Sequence, residues 1–136
     1  MQTAQFEHAI ENILRRDRRF DPQAYLFLKD SLDFTLKRAS EGNGGQPRHV
    51  SGKELLIGFR DLALQEFGPM AGTLMSEWGL QDTRNVGEMV FLLIDEQMFG
   101  KQDSDTLEDF EDIYDFHEAF TLPFTPKSRL ETSDRN

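Results

Sequence analysis

The stretch Gln102-Asp103-Ser104-Asp105-Thr106-Leu107-Glu108-Asp109-Phe110-Glu111-Asp112-Ile113-Tyr114-Asp115-Phe116-His117-Glu118-Ala119-Phe120 decides how this fold is read. It holds eight carboxylates and no Lys or Arg, with Leu107, Phe110, Ile113, Tyr114, Phe116 and Phe120 set among them. A run of like charges describes a solvated tail. Six apolar or aromatic side chains ask for burial instead. The segment therefore docks on its own domain or on something else. Phe110, Tyr114, Phe116 and Phe120 share the two-residue period of a strand, whereas Leu107 and Ile113 do not. Wound as a helix, the six scatter over more than half the circumference. This pattern predicts a short β-hairpin followed by a helical turn. The alternative is a short helix, because Asp105-x-x-Glu108 suits a capping box.

Upstream of this stretch the signals are helical. Phe6, Ile10, Ile13 and Leu14 lie on one face of a helix expected over 3–16. Arg15, Arg16, Arg18 and Arg19 crowd its C-terminal end, where cations meet the helix dipole favourably. This basic knot reads first as a solvated helix end. The sharper reading is a basic contact for an acidic partner, the chain's own 102–120 segment included. Asp21-Pro22 supplies an N-cap and a proline at N1. Tyr25, Leu28, Leu32 and Leu36 then recur at spacings of three and four, to about Ala39, before the glycine-rich loop 41–47.

Ser51-Gly52-Lys53-Glu54 fits a capping box and opens a third helix, with Leu55, Phe59, Leu62, Ala63 and Phe67 as its apolar stripe. Gly68-Pro69 stops it. A short helix over 69–78 follows, closed by Gly79. Asp82 or Thr83 caps a fifth helix, expected to run to Phe99 and apolar on most of its circumference, which marks it as central to a core. The fold class is thus mainly α: five helices with a small C-terminal β-hairpin, as one helical domain over 1–124 and a flexible tail over 125–136.

Composition narrows the function. Net charge is −10, divided as −4 over residues 1–100, −7 over 101–120 and +1 over 121–136. An acidic chain is a poor match for phosphate backbones and for anionic membrane surfaces. Without cysteine, thiolate nucleophiles, disulfides and Cys-ligated metal centres are excluded. No run of residues reaches the length of a membrane helix and no signal-peptide pattern opens the chain, so the expected residence is cytoplasmic. Twelve phenylalanines in 136 residues point to an aromatic core, a partner surface, or both.

The order helix, short helix, helix, hairpin over 51–116 resembles a winged helix, and Gly79-Leu80 resembles its tight turn. A wing carrying most of the eight carboxylates contradicts DNA reading, and the nucleic-acid alternative would depend on Arg84. Metal signatures fail on spacing. Gln5, Gln46 and Tyr114 stand three residues before His8, His49 and His117, where a Glu-x-x-His motif needs Glu. A calcium loop begun at Asp103 has Glu108 where Gly belongs and Tyr114 where Glu belongs. Gly45 to Gly52-Lys53-Glu54 misses the P-loop spacing. No catalytic, cofactor or metal residue is assigned. His49 reads as a loop-packing residue and Trp78 as core.

Four phrases in order resemble a family of uncharacterised bacterial proteins found mainly in planctomycetes and verrucomicrobia. They are Ala24-Tyr25-Leu26-Phe27, Arg48-His49-Val50-Ser51-Gly52-Lys53-Glu54-Leu55-Leu56, Gln65-Glu66-Phe67-Gly68-Pro69-Met70-Ala71, and Leu107-Glu108-Asp109-Phe110 with Tyr114-Asp115-Phe116. The resemblance spans residues 6–124 and implies a cytosolic conserved protein without an assigned activity.

The sequence therefore points to a non-enzymatic interaction or regulatory module that binds a protein partner or itself. Its candidate surface is Phe110, Tyr114, Asp115, Phe116, His117 and Glu118. A winged-helix nucleic-acid binder and a metal-assisted enzyme are the alternatives.

Overall fold

Two polar residues set the frame of the bundle. Asp21, in extended conformation, accepts from the Gln23 amide at 2.8 Å and starts a helix whose first residue is Pro22. Ser51 accepts from the Glu54 amide at 3.1 Å, and Glu54 reaches back to the Ser51 amide at 3.0 Å, so the capping box forms as its sequence predicts. The computed structural model describes residues 2–100 and 106–125. Within them the main helices are α1 (Gln2–Leu14), α2 (Pro22–Glu41), α3 (Gly52–Phe67), α4 (Ala71–Glu77) and α5 (Thr83–Asp95). A 3₁₀ turn, Gly68–Met70, links α3 to α4. The tail expected over 125–136 lies outside the described residues beyond Thr125.

One buried cluster runs from Phe6 to Phe120 and draws on every helix. Its aromatic centre joins Phe27 of α2 to Phe59 and Phe67 of α3, with ring centroids 5.1 Å apart in both pairs, and to Trp78 after α4 at 5.7 Å. Helices α2 and α3 approach closely because Gly58 faces Thr35: a Cβ at Gly58 would lie 1.9 Å from the Thr35 hydroxyl. The buried Ser31 and Thr35 hydroxyls of α2 are satisfied along their own helix, Ser31 donating to the Phe27 carbonyl and Thr35 to that of Ser31.

Helix ends are set by left-handed residues. Gly79, at φ +87°, closes α4, its amide bonding the Ser76 carbonyl and that of Leu80 the Met75 carbonyl. The same pattern ends α5 earlier than expected. Gln97 takes φ +63°, its amide bonds Ile94, and the Met98 amide bonds Leu93. The helix therefore stops at Asp95, and Met98 and Phe99 fold back against the core as partly buried side chains.

The C-terminal part corrects the sequence reading. No strand occurs among the described residues, so the hairpin is absent and the winged-helix shape over 51–116 loses its wing. In its place are a 3₁₀ turn, Leu107–Phe110, the helical turn α6 (Phe116–Phe120) and a second 3₁₀ turn, Leu122–Phe124. Local capping explains this. The Thr106 amide donates to Asp109 at 2.9 Å, one residue beyond the Asp105–Glu108 pair expected from sequence. Asp112, at φ +52°, reverses the chain, and Asp115 caps α6 by accepting from the Glu118 amide at 3.0 Å. Leu107 and Phe110 fall three apart, the period of a 3₁₀ turn, so neither strand parity nor a single helical face accounts for them.

Candidate interaction face

The segment 106–125 lies as a strap across α3, α4 and α5, and the rings from Phe110 to Phe120 each have a defined seat. Phe110 is buried. It sits in a notch made by two glycines, one at the start of α3 and one in α5. A Cβ at Gly87 would stand 2.5 Å from the Phe110 Cβ, and one at Gly52 would stand 2.8 Å from the far tip of its ring. Phe91 completes the notch edge-on at 6.2 Å. The buried Thr83 hydroxyl donates to the Phe110 carbonyl at 2.5 Å and accepts from the Ile113 amide at 3.3 Å. Thr83 is free to do this because Asp82 caps α5, accepting from the Asn85 amide at 2.9 Å.

Tyr114 donates its hydroxyl to the Leu56 carbonyl at 2.6 Å, under the Arg60 guanidinium 5.7 Å above its ring. Burial raises its pKa from the usual tyrosine value. Phe116 and Phe120 meet edge-on at 5.1 Å, and Phe120 is buried. Of the six surface residues expected from sequence, Phe110 therefore belongs to the core, and Tyr114 is anchored through its hydroxyl and ring. Asp115 caps α6. Phe116 is half-buried, and His117 and Glu118 are exposed beside it.

Among the described residues the basic knot makes no ion pair or hydrogen bond with the strap. Arg16 pairs with Glu96 at 2.8 Å, Arg18 donates to the Leu14 carbonyl at 3.2 Å, and Arg19 pairs with Asp17 at 2.9 Å and with Glu88 at 3.1 Å. The ion-pair partners of Arg16 and Arg19 are thus carboxylates of their own loop, of α5 and of the α5 cap. Arg15 is exposed. Those pairings hold Asp17, chiefly through Arg19, and Glu96, chiefly through Arg16, below the usual carboxylate range.

What the strap does face is α4. A Cβ at Gly72 would lie 2.9 Å from the Thr121 hydroxyl, so α4 and the end of α6 touch there. Beside this contact runs a groove of about 300 Å³, walled by Gly72, Ser76 and Gln81 on one side and Phe116, His117 and Thr121 on the other. Met70, Leu122 and Phe124 border the contact in sequence. They are three of the four large apolar side chains exposed among the described residues; the fourth is Leu36.

Charge around this groove has one sign. Residues 61–83 carry Asp61, Glu66, Glu77 and Asp82 with no Lys or Arg, and residues 106–125 carry six carboxylates with none. The cations that flank the run 61–83 in sequence are occupied. Arg60 pairs with Asp61 at 3.0 Å. Arg84, on which nucleic-acid binding would depend, pairs with Glu111 and with Glu88. Sequence reasoning found the carboxylates and Phe116 but missed α4's share, whose signal was the cation-free run 61–83.

A second concavity of about 280 Å³ lies between α2, the start of α3 and the end of α5, lined by Leu36, His49, Leu55, Phe91, Phe99 and Phe110 among others. No group of three or more His, Asp or Glu side chains among the described residues is placed to hold a metal ion. No helix among them is long and apolar enough to cross a membrane. Comparisons with protein-family models, with curated proteins and with solved structures give no match.

Proposed function

We propose that this protein is a non-enzymatic protein-interaction module whose working face is the α4–α6 groove with Met70, Leu122 and Phe124 around it. The observation that carries the reading is that Met70 and Leu122 stand within two residues of the Gly72–Thr121 contact and are exposed, as is Phe124, in two stretches that carry no Lys or Arg. Large apolar groups beside a groove mark a contact surface, and the surrounding carboxylates keep the free protein soluble. The titratable groups of the strap support it further. Asp109 and Asp115 are engaged in backbone capping and Glu111 in an ion pair, so they are turned to holding the strap rather than to a converging reactive centre. The family resemblance carries no activity and adds nothing to this reading.

A photo-cross-linking residue placed at Leu122 in cells tests it, with the same residue at exposed Lys37 of α2 as the comparison. A discrete protein adduct from position 122 and none from position 37 is expected. Adducts from neither position, or the same adducts from both, overturn the proposal.

A further inference from the structure

We infer that the partner presents a basic amphipathic segment, with apolar side chains that enter the α4–α6 groove and Lys or Arg side chains that lie along its rim; this rests on the interaction-module reading above. Shape and charge both lead there. The groove runs between two helical elements, with the small residues Gly72 and Ser76 on the α4 side and Phe116 and Thr121 on the other. A helix laid into such a groove is read through anchors at i, i+3 and i+4. Leu122 and Phe124 are 40% and 42% exposed and Met70 56%, so each has apolar surface left for such anchors.

The carboxylates on the elements that build and flank the groove choose the sign. Glu66 at the end of α3, Glu77 at the end of α4 and Glu118 on α6 are exposed, and none has an ion-pair or hydrogen-bonding side-chain partner among the described residues. Like charges on an approaching segment would be repelled from this face and opposite charges drawn to it. The same argument sets aside a second copy of the chain. A symmetric dimer through this face would bring two cation-free surfaces together at a net charge of −10 per copy. An anionic lipid surface is set aside for the same reason.

Two synthetic peptides of about 14 residues, long enough to form a helix on a surface, provide the test. One alternates Leu with Lys in an amphipathic helical pattern, and the other places Glu at every Lys position. Calorimetry on the intact protein measures affinity, and amide chemical shifts locate the site. The Leu/Lys peptide is expected to shift the amides of residues 70–81 and 115–125. It is expected to weaken at least about tenfold between about 0.1 M and 1 M salt, as the screening length falls from about 10 to about 3 Å. The variant Met70→Ser/Leu122→Ser/Phe124→Ser alters only exposed positions and is expected to weaken binding by a further tenfold or so. Charge attraction alone would leave that affinity unchanged, and such a result overturns the groove as the anchor. Equal binding of the Leu/Glu peptide at the same amides overturns the basic partner and leaves the interaction face standing. Shifts outside this face, or no binding by either peptide, overturn the inference, and the cross-linking result then decides the module reading separately.

Discussion

The arginine-rich corner between α1 and α2 and the acid-rich strap after α5 look alike in sequence: each is a dense run of one charge with aromatic residues close by. They are held by different forces. The corner is fastened by its charges. Arg16 and Arg19 find Glu96, Asp17 and Glu88, and the Asp21 amide donates to the Trp78 carbonyl at 3.0 Å. Gly79 lets the two chains come this close, since a Cβ there would lie 2.3 Å from the Arg19 carbonyl oxygen. The strap is fastened by its rings, and among the described residues only Glu111 of its six carboxylates meets a cation. Charge that is matched inside the molecule is structural, and charge left over on a ring-held segment is available to a partner. The comparison therefore teaches that the density of charge locates neither a site nor a tail until its counter-ions are known.

The sharpest way to break this comparison is Phe110→Ala. Emptying a buried seat between two glycines is expected to cost about 3–5 kcal/mol in urea unfolding. A loss under about 1 kcal/mol would mean that the rings do not hold the strap. Gly87→Ala pushes a methyl against the root of the same side chain, where nothing flexible can yield, and is expected to cost about 1–3 kcal/mol. Gly52→Ala meets only the ring tip and is expected to cost less.

The chain's two tyrosines, one in each region, sharpen the contrast. Tyr114 donates to Leu56, whereas the buried Tyr25 hydroxyl meets no hydrogen-bond partner among the described residues. Tyr114→Phe is expected to lose about 1 kcal/mol, and Tyr25→Phe to lose nothing or to gain stability, both read from urea midpoints. A Tyr25→Phe loss as large as that of Tyr114→Phe would reverse the assignment.

The smallest effect is electrostatic. Asp17 and Glu96 are held below their ordinary range, so the stability they contribute is present above that range and is lost as pH falls through their lowered values. Glu54, paired with Arg48 and bonded to the Ser51 amide, behaves likewise from the ordinary 4.5 down to about 2. Arg16→Gln is expected to flatten the acid limb of the stability curve by under about 1 kcal/mol, because the pair is exposed on the arginine side. An unchanged acid limb would show that the corner's ion pairs are only geometric.

Much of the helical frame was legible because its signals are local. Asp21-Pro22, the Ser51–Glu54 box and Gly79 each act within a few residues, and the structure uses each as read. The early end of α5 was hidden because Gln97, not Gly100, takes the left-handed position, and a glutamine at that place gives no warning. The strap was misread because its apolar residues answer to three short elements in turn, none long enough to establish a period. Thr83 was ambiguous as a cap because its real work lies 27 residues away at Phe110. The notch that receives Phe110 was invisible for the same reason, since Gly52 and Gly87 become one site only after α3 and α5 pack.

That notch also orders the assembly of the molecule in time. Its two walls lie 35 residues apart in sequence, and the Tyr114–Leu56 bond closes a span of 58. The seat is not in place until α3 and α5 have met, so the strap is expected to dock on the late side of the folding barrier. Substitutions at Phe110 and Tyr114 then act on the escape rate of the native state: unfolding speeds up while refolding keeps its pace. The strap is in that sense a latch, whose strength sets how long each folded molecule lasts rather than how quickly it forms.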